Sequence, residues 1–220
     1  MRSLGDNETN ARLHARNSEL VLTADTGSND NGLTLANFML RRMALVIAPQ
    51  DYTFIDTSLT TTAAATDYKW KPAIAFLDIL SIELPNRERG DQYWPVPPAQ
   101  SLLLWRMAEN EPADFPRYHR ILKDAQHDSM LQFAPAYRWG SKTIRVTGIW
   151  EPEALQDTNS RTAFRLESWD DVFSQLCAAY YLFKNGQSVQ GKFTWDLAAE
   201  HIRQLSGRDV VPSEFGIGAS

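Results

Sequence analysis

The chain has 220 residues, with 22 basic and 27 acidic side chains, a formal net charge of −5 and one cysteine. A chain without a basic stripe cannot neutralise several phosphates, so tight binding to the nucleic-acid backbone is disfavoured, and one cysteine forms no intrachain disulfide. The sequence contains no run of 18 apolar residues, so no membrane span is predicted. No signal-peptide pattern follows Met1, and we therefore expect the protein to fold in a reducing cytosol.

Apolar spacing predicts two helices in the first quarter of the chain. The first, over residues 9–22, has few apolar anchors, of which Leu13 is one. The second, over residues 33–47, has apolar residues at helical spacing and ends before Pro49.

The middle of the chain is less regular. Residues 56–67 are interpreted as an exposed loop or a short irregular strand, and the apolar run 74–84 predicts a strand. The next segment is rich in Pro and Trp, and a helix is predicted over residues 98–110, where Pro97 and Pro98 can start it.

Three strands and two helices are predicted in the second half of the chain. Residues 117–122 and 129–134 form a predicted hairpin, and residues 142–150 alternate between apolar and polar side chains. The helices are predicted over residues 169–185 and 195–206, joined by a short connection that favours antiparallel packing.

The helix over residues 169–185 has the clearest amphipathic pattern. Ser168 is its predicted N-cap, and Thr194 is the predicted N-cap of the last helix. Together the elements predict an α+β protein with one domain over residues 1–206 and an extended arm over residues 207–220. The predicted core face of this helix consists of Trp169, Val172, Phe173, Leu176, Tyr180 and Phe183.

Neither a metal site nor a reactive cysteine is favoured. His119 and His127 could approach each other across the predicted hairpin, but histidines near turns are usually solvated rather than metal ligands. Cys177 lies on the apolar face of its helix, which predicts a buried and unreactive thiol.

Carboxylates beside tryptophans are the remaining enzymatic signal. They are typical of glycoside-acting clefts, but carboxylates also favour the first turn of a helix, and we prefer that interpretation. We therefore expect no catalytic residues, no cofactor and no metal. The carboxylates concerned are Glu151, Glu153, Asp170 and Asp171.

The order of elements in the second half carries a family resemblance. A strand at residues 118–122 (YHRIL) precedes an apolar-x-apolar-x-Pro step at residues 130–135 (MLQFAP). The strand 142–150 ends in an aromatic residue, the next helix opens with residues 167–171 (ESWDD), and it continues into a small-aromatic run at residues 177–182 (CAAYYL). In this order, over about half of the chain, the sequence resembles the head–tail adaptor proteins of tailed bacteriophages.

The resemblance implies a helical bundle with a small antiparallel β-sheet inserted. It implies a structural virion protein that forms a ring, usually of twelve copies, between the portal and the tail, through which the genome passes. Its partners would be the portal protein, a tail or nozzle protein and further copies of itself. It would have no enzymatic activity and would bind neither a membrane nor a specific nucleic-acid sequence. It would be assembled in the host cytoplasm and reside in the virion neck.

The C-terminal segments of such adaptors commonly grip the portal. In this chain the arm over residues 207–220 is expected to do so, because its apolar residues have no predicted local packing partner. These residues are Val210, Val211, Phe215 and Ile217.

Two alternatives stay open. A tail-completion or stopper ring protein would share the size, acidity and oligomeric state of an adaptor. A carbohydrate-binding or glycoside-acting domain would instead use tryptophans as stacking surfaces, the candidates being Trp94, Trp105, Trp139 and Trp150.

Overall fold

A computed structural model describes residues 2–16, 19–22, 32–46, 52–72, 75–110, 114–123, 129–162, 164 and 166–217. These residues form an α+β fold, which confirms the predicted class. The sequence alone predicts one domain, whereas the chain divides into two compact units. The helical unit is Met1–Tyr52 with Glu151–Ser220, and the β unit, Thr53–Trp150, is inserted between those two segments.

The described residues contain five α-helices and seven strands. Two short 3-10 helices, Arg87–Arg89 and Pro212–Phe215, accompany them. In chain order the elements are α1 (Leu4–Ala15), α2 (Gly32–Val46), β1 (Thr53–Asp56), β2 (Asp67–Trp70), β3 (Phe76–Asn86), β4 (Gln92–Pro95), α3 (Leu102–Glu109), β5 (Tyr118–Lys123), β6 (Ser129–Ala134), β7 (Arg145–Trp150), α4 (Glu167–Lys184) and α5 (Ser188–Ser206).

Helix α4 is the centre of the helical unit. Helices α1, α2 and α5 all pack against it, so even its polar residues Ser174 and Gln175 are buried. The predicted core face is confirmed as buried for four residues, while Tyr180 and Phe183 are half-buried. The four buried residues are Trp169, Val172, Phe173 and Leu176.

Two predicted N-caps are wrong. Helix α4 starts after Leu166, which makes no side-chain cap, so Ser168 lies inside the first turn. Helix α5 starts at Ser188, and Thr194 lies in its interior, where the hydroxyl donates to the Gln190 carbonyl at 3.0 Å. A threonine that bonds back one turn satisfies its own hydroxyl without capping the helix.

The first helix is displaced from its predicted range of 9–22. A capping box at Ser3 and Asp6 starts α1, and Arg16 ends it in a left-handed conformation with φ 50°. The side chain of Asp6 accepts from the Ser3 backbone while Ser3 accepts from the Asp6 N–H, which satisfies two donors at the helix start. Leu13, expected to be an anchor, is 71% exposed.

The C-terminal segment is part of the helical core. Phe215 and Ile217 are buried, and the ring centroid of Phe215 lies 5.7 Å from that of Trp195 on α5. The 3-10 helix that carries Phe215 also contacts α2. The expectation of an arm with nothing to pack on is therefore wrong for residues 212–217. Residues 218–220 lie outside the described residues.

The β unit contains two small antiparallel sheets, of strand order β1-β7-β3-β4 and β2-β6-β5. The predicted hairpin is confirmed as β5–β6, but the strand that follows it, β7, joins the other sheet. The two sheets share one core, made of Tyr68, Trp70, Ile82, Leu84, Val96, Leu131, Phe133, Tyr137, Ile144 and Val146.

Other element boundaries differ for local reasons. The strand predicted to end at residue 84 continues through Pro85, which pairs only with β4, so its missing N–H breaks no bond to β7. Helix α3 begins after Ser101, which accepts from the Leu104 N–H at 3.2 Å, rather than at the prolines. Strands β1, β2 and β4 have four residues each, too few for an alternation pattern.

Both ends of the β unit lie on neighbouring strands. Strand β1 opens the unit, β7 closes it, and the two pair antiparallel with Thr53 opposite Ile149. The chain therefore enters and leaves the β unit at adjacent positions, as an inserted unit requires.

The buried position of Phe215 yields the first prediction. Phe215→Ala should lower the free energy of unfolding of the helical unit by about 3–5 kcal/mol, because it leaves a cavity against Trp195. Urea unfolding followed by circular dichroism at the helical band measures this. The exposed Val211→Ala, in the same segment, should change it by less than ~0.5 kcal/mol. Equal stability of the two variants would contradict the packing of this segment.

Candidate functional site

A buried carboxylate, Asp170, organises the polar contacts of the helical unit. It accepts hydrogen bonds from the Arg2 backbone N–H at 3.2 Å, from the Thr162 hydroxyl and from the Asn7 amide at 3.5 Å. Ser174, one turn along α4, donates to the Asn7 side-chain oxygen at 3.2 Å. Because Asp170 is fully buried and every contact is internal, the cluster joins α1, residue 162 and α4 and offers no approach to a substrate.

The other candidate carboxylates are also engaged or solvated. Asp171 forms an ion pair with Arg2, Glu151 forms one with Arg41, and Glu153 is exposed. No paired-carboxylate cleft is visible among these residues. The preferred interpretation of helix-start acids is confirmed for Asp170, which lies in the first turn of α4. It is wrong for Glu151 and Glu153, because residues 151–160 form no helix.

Of the histidine and cysteine candidates, His119 and Cys177 are buried, so the expectation of a solvated histidine is wrong for His119. Within the described ranges no three His, Cys, Asp or Glu side chains are grouped to hold a metal ion. His119 Nδ1 lies 2.6 Å from the Val96 carbonyl oxygen, and burial lowers the pKa of this imidazole. His127 lies outside the described residues. Burial raises the pKa of the Cys177 thiol, which favours the unreactive protonated form.

Arginine side chains lie over three of the four candidate tryptophans, all of them in the β unit. Guanidinium carbons lie 3.6 Å from the ring centroid of Trp94, 4.1 Å from that of Trp105 and 4.3 Å from that of Trp139. Trp105 is also buried, and Trp150 is half-buried. A sugar needs an open ring face, so these cation–π contacts compete with the predicted stacking role.

The pocket beside Trp139 is small. It has a volume of about 170 Å³ and aromatic walls of Phe115, Tyr137 and Trp139. Asp114, which also lines the pocket, forms an ion pair with Arg138 at 2.8 Å. Ligand pockets typically enclose ~300–1,000 Å³, so this cavity is too small for an oligosaccharide.

A larger apolar cavity lies in the helical unit where α4 ends and α5 begins. Its volume is about 670 Å³, and we call it the α5 groove. Val189 and Phe193, one turn apart on α5, are 84% and 73% exposed at this end of the helix. The groove is lined by Phe183, Ser188, Val189, Lys192, Trp195, Asp196, Pro212, Ser213 and Ile217.

One glycine shapes this groove. A Cβ at Gly191 would lie 2.9 Å from the Phe183 ring, closer than side-chain carbons approach one another. The absence of a side chain at residue 191 therefore allows α5 to pack closely against the end of α4. Phe183 forms part of the groove wall, and Val189 remains exposed.

A second exposed apolar surface lies on α3, in the β unit. Trp105 and Ala108 face the interior, whereas Leu102, Leu103 and Met107 are 57%, 69% and 57% exposed. We call Leu102, Leu103 and Met107, with the exposed Arg106 between them, the α3 face. An apolar helix face of this kind is typical of a partner-binding surface.

The four residues predicted to bind the portal differ in their exposure. Val211 is 54% exposed and Val210 is half-buried, but Phe215 and Ile217 are buried. The exposed Val189 and Phe193 were not predicted as surface residues, because the sequence prediction starts α5 seven residues too late.

Comparisons with known proteins supply no assignment. A scan against protein-family models finds no match, and no curated protein matches the sequence at a significant level. Among the described helices, none combines the length and apolar character needed to cross a bilayer.

The Asp170 cluster yields a stability prediction. Asp170→Ala should lower the free energy of unfolding by about 2–4 kcal/mol, because the Thr162 hydroxyl and the Arg2 N–H lose their buried acceptor. Asp171→Ala, which removes a partly exposed ion pair with Arg2, should cost less than ~1 kcal/mol. Urea denaturation compares the two, and the reverse order of stabilities would refute the structural role of Asp170.

Cys177 yields a reactivity prediction. The native protein should not react with Ellman's reagent at mildly alkaline pH, because the thiol is buried and its pKa is raised. In guanidinium chloride it should release one equivalent per chain, from the single cysteine. Ser188→Cys, at an exposed position, should add one fast-reacting thiol in the native state. Native wild-type protein reacting at that fast rate would contradict the burial.

Proposed function

We propose that the chain is a head–tail adaptor, a structural virion protein that forms a ring between portal and tail through which the genome passes. The supporting observation is the arrangement of its two units. A helical unit is built from both halves of the chain, and an antiparallel β unit is inserted between them. This is the architecture that the resemblance implies.

The chemistry of the described residues supports a contact-based role. Each candidate carboxylate, histidine or cysteine within them is buried, paired or solvated, and the larger cavity is apolar. Helices α3 and α5 each carry several of the exposed large apolar residues. Large exposed apolar patches are typical of proteins that work by binding other proteins.

The charge distribution also supports this proposal. The β unit contains eleven basic and eleven acidic side chains, so the whole net charge of −5 belongs to the helical unit. A protein without a basic excess does not hold passing DNA by its phosphates. An adaptor ring needs this property because the genome moves through it.

The proposal predicts binding to a portal. Purified protein mixed with the portal protein of the same genome should comigrate with it, and electron microscopy should show an added ring at one end of the portal. Val211→Asp should weaken this binding, because Val211 is the most exposed of the predicted portal contacts. Leu13→Ser, at another exposed apolar position, is the matched control and should bind normally.

The result separates adaptor, stopper and carbohydrate functions. Binding to the bare portal supports an adaptor, whereas binding only to a portal that already carries another ring would identify a stopper or tail-completion protein. No binding to either, with a tryptophan fluorescence change on titration with oligosaccharides, would replace the proposal with a carbohydrate-binding function.

A further inference from the structure

We propose that the pocket beside Trp139 binds a small zwitterion in which a fully methylated ammonium group lies close to a carboxylate. All residues that line this pocket belong to the β unit, at the turn between β3 and β4 and in the segments on either side of the β5–β6 hairpin. Its volume of about 170 Å³ is below the ~300–1,000 Å³ of pockets for drug-sized ligands, so it suits a ligand of few heavy atoms.

Three aromatic rings form the walls of the pocket. The rings of Phe115 and Tyr137 are perpendicular, with an interplanar angle of 90° and centroids 6.2 Å apart, and Trp139 is the third ring. Tyr137 is buried, and its hydroxyl donates to the Pro85 carbonyl at 2.5 Å, so the polar end of this ring is already bonded. Groups of such rings recognise quaternary ammonium ligands through cation–π attraction.

The turn after β3 places opposite charges at the rim of the pocket. Arg87 and Glu88 lie in the 3-10 helix, and both line the pocket. The Asn86 side chain accepts from the Glu88 backbone N–H at 3.0 Å, and Gly90 ends the turn with φ 70°. The Arg87 guanidinium lies 4.3 Å from the ring centroid of Trp139, which positions it beside an aromatic wall.

These two charges are available to a ligand. The neighbouring Asp114 is held by Arg138 at 2.8 Å, whereas neither Arg87 nor Glu88 has an ion pair within the part of the chain that the structure describes. A ligand carboxylate would bind the Arg87 guanidinium, and the ammonium group would lie against the aromatic walls and Glu88. A simple cation would instead meet the like charge of Arg87 without compensation, so a zwitterion fits better.

The hydrogen-bonding capacity of the pocket favours a methylated ammonium over a primary one. A primary ammonium has three N–H donors, each of which needs an acceptor once it leaves water. Of the two carboxylates that line the pocket, Asp114 is already paired and only Glu88 remains. A quaternary ammonium has no N–H donor, so apolar aromatic walls satisfy it.

Isothermal titration calorimetry of the full chain tests the ligand class. Glycine betaine carries both groups, glycine has a primary ammonium instead, and choline lacks the carboxylate. Glycine betaine should bind at least about tenfold more tightly than either of the other two compounds. Absence of glycine betaine binding up to ~50 mM, or equal binding of all three compounds, would overturn the inference.

A pair of variants tests the aromatic wall. Phe115→Leu keeps an apolar side chain but removes the ring, and it should weaken glycine betaine binding at least about tenfold. Phe115→Tyr is the matched control, because it keeps the ring and should bind within about threefold of the wild type. Circular dichroism verifies that both variants are folded. Wild-type affinity in folded Phe115→Leu would refute recognition by the rings.

The exposed Arg87 allows a test that does not alter the aromatic walls. Arg87→Gln should weaken glycine betaine binding about tenfold but should not weaken choline binding, because the variant loses the carboxylate partner and a like charge together. Arg106→Gln, at an exposed position on α3, is the control and should bind both compounds like the wild type. Unchanged glycine betaine binding in Arg87→Gln, or an equal loss for both compounds, would contradict the proposed orientation. These titrations need no portal, so their outcome is independent of the adaptor proposal.

Discussion

The helical unit depends on the burial of α4 by three other helices. A helix packed on several sides cannot keep an exposed polar face, so its polar residues must find partners inside the protein. Asp170 and Ser174 do this through Asn7, Arg2 and Thr162. The same requirement draws distant parts of the chain together, because α1 comes from the start of the sequence while α4 and α5 come from its second half.

This packing also determines which side chains remain for contact with partners. The C-terminal segment completes the core beside Trp195, so its apolar residues are largely used in folding. Among the apolar residues that remain exposed are Val189 and Phe193 near the start of α5 and those on one side of α3. Exposed Val, Phe, Leu and Met side chains lower solubility unless a partner covers them, and interfaces are where such residues are retained.

The sequence predicts long elements better than short ones. Helix α4 agrees with prediction to within two residues, because its apolar pattern is long enough to recognise. Strand β6 also agrees, because turn residues precede it and Pro135 follows it. Strands β1, β2 and β4 were not predicted, since four residues carry little pattern and depend on pairing with distant strands.

Whether a site residue was predicted correctly depends on where its packing partners lie in the sequence. Cys177 and Trp169 were placed correctly in the core, because each lies on a continuous apolar face of one helix. Phe215 and Ile217 were predicted as free contacts, because their partner Trp195 belongs to another element, which local spacing cannot reveal. The groove itself depends on Gly191 and Phe183 meeting at a helix–helix turn, which only the folded chain shows.

The pairing of β1 with β7 has a consequence for the history and engineering of this chain. Residues directly opposite in an antiparallel pair lie only about 5 Å apart, so the cut points before Thr53 and after Trp150 are separated by little more than one residue length. A few glycines could join Tyr52 to Glu151 and restore a continuous four-helix polypeptide. Insertion of the β unit into an all-helical protein would therefore require little change in the path of the chain. Deletion of the β unit in the laboratory is equally simple in geometry.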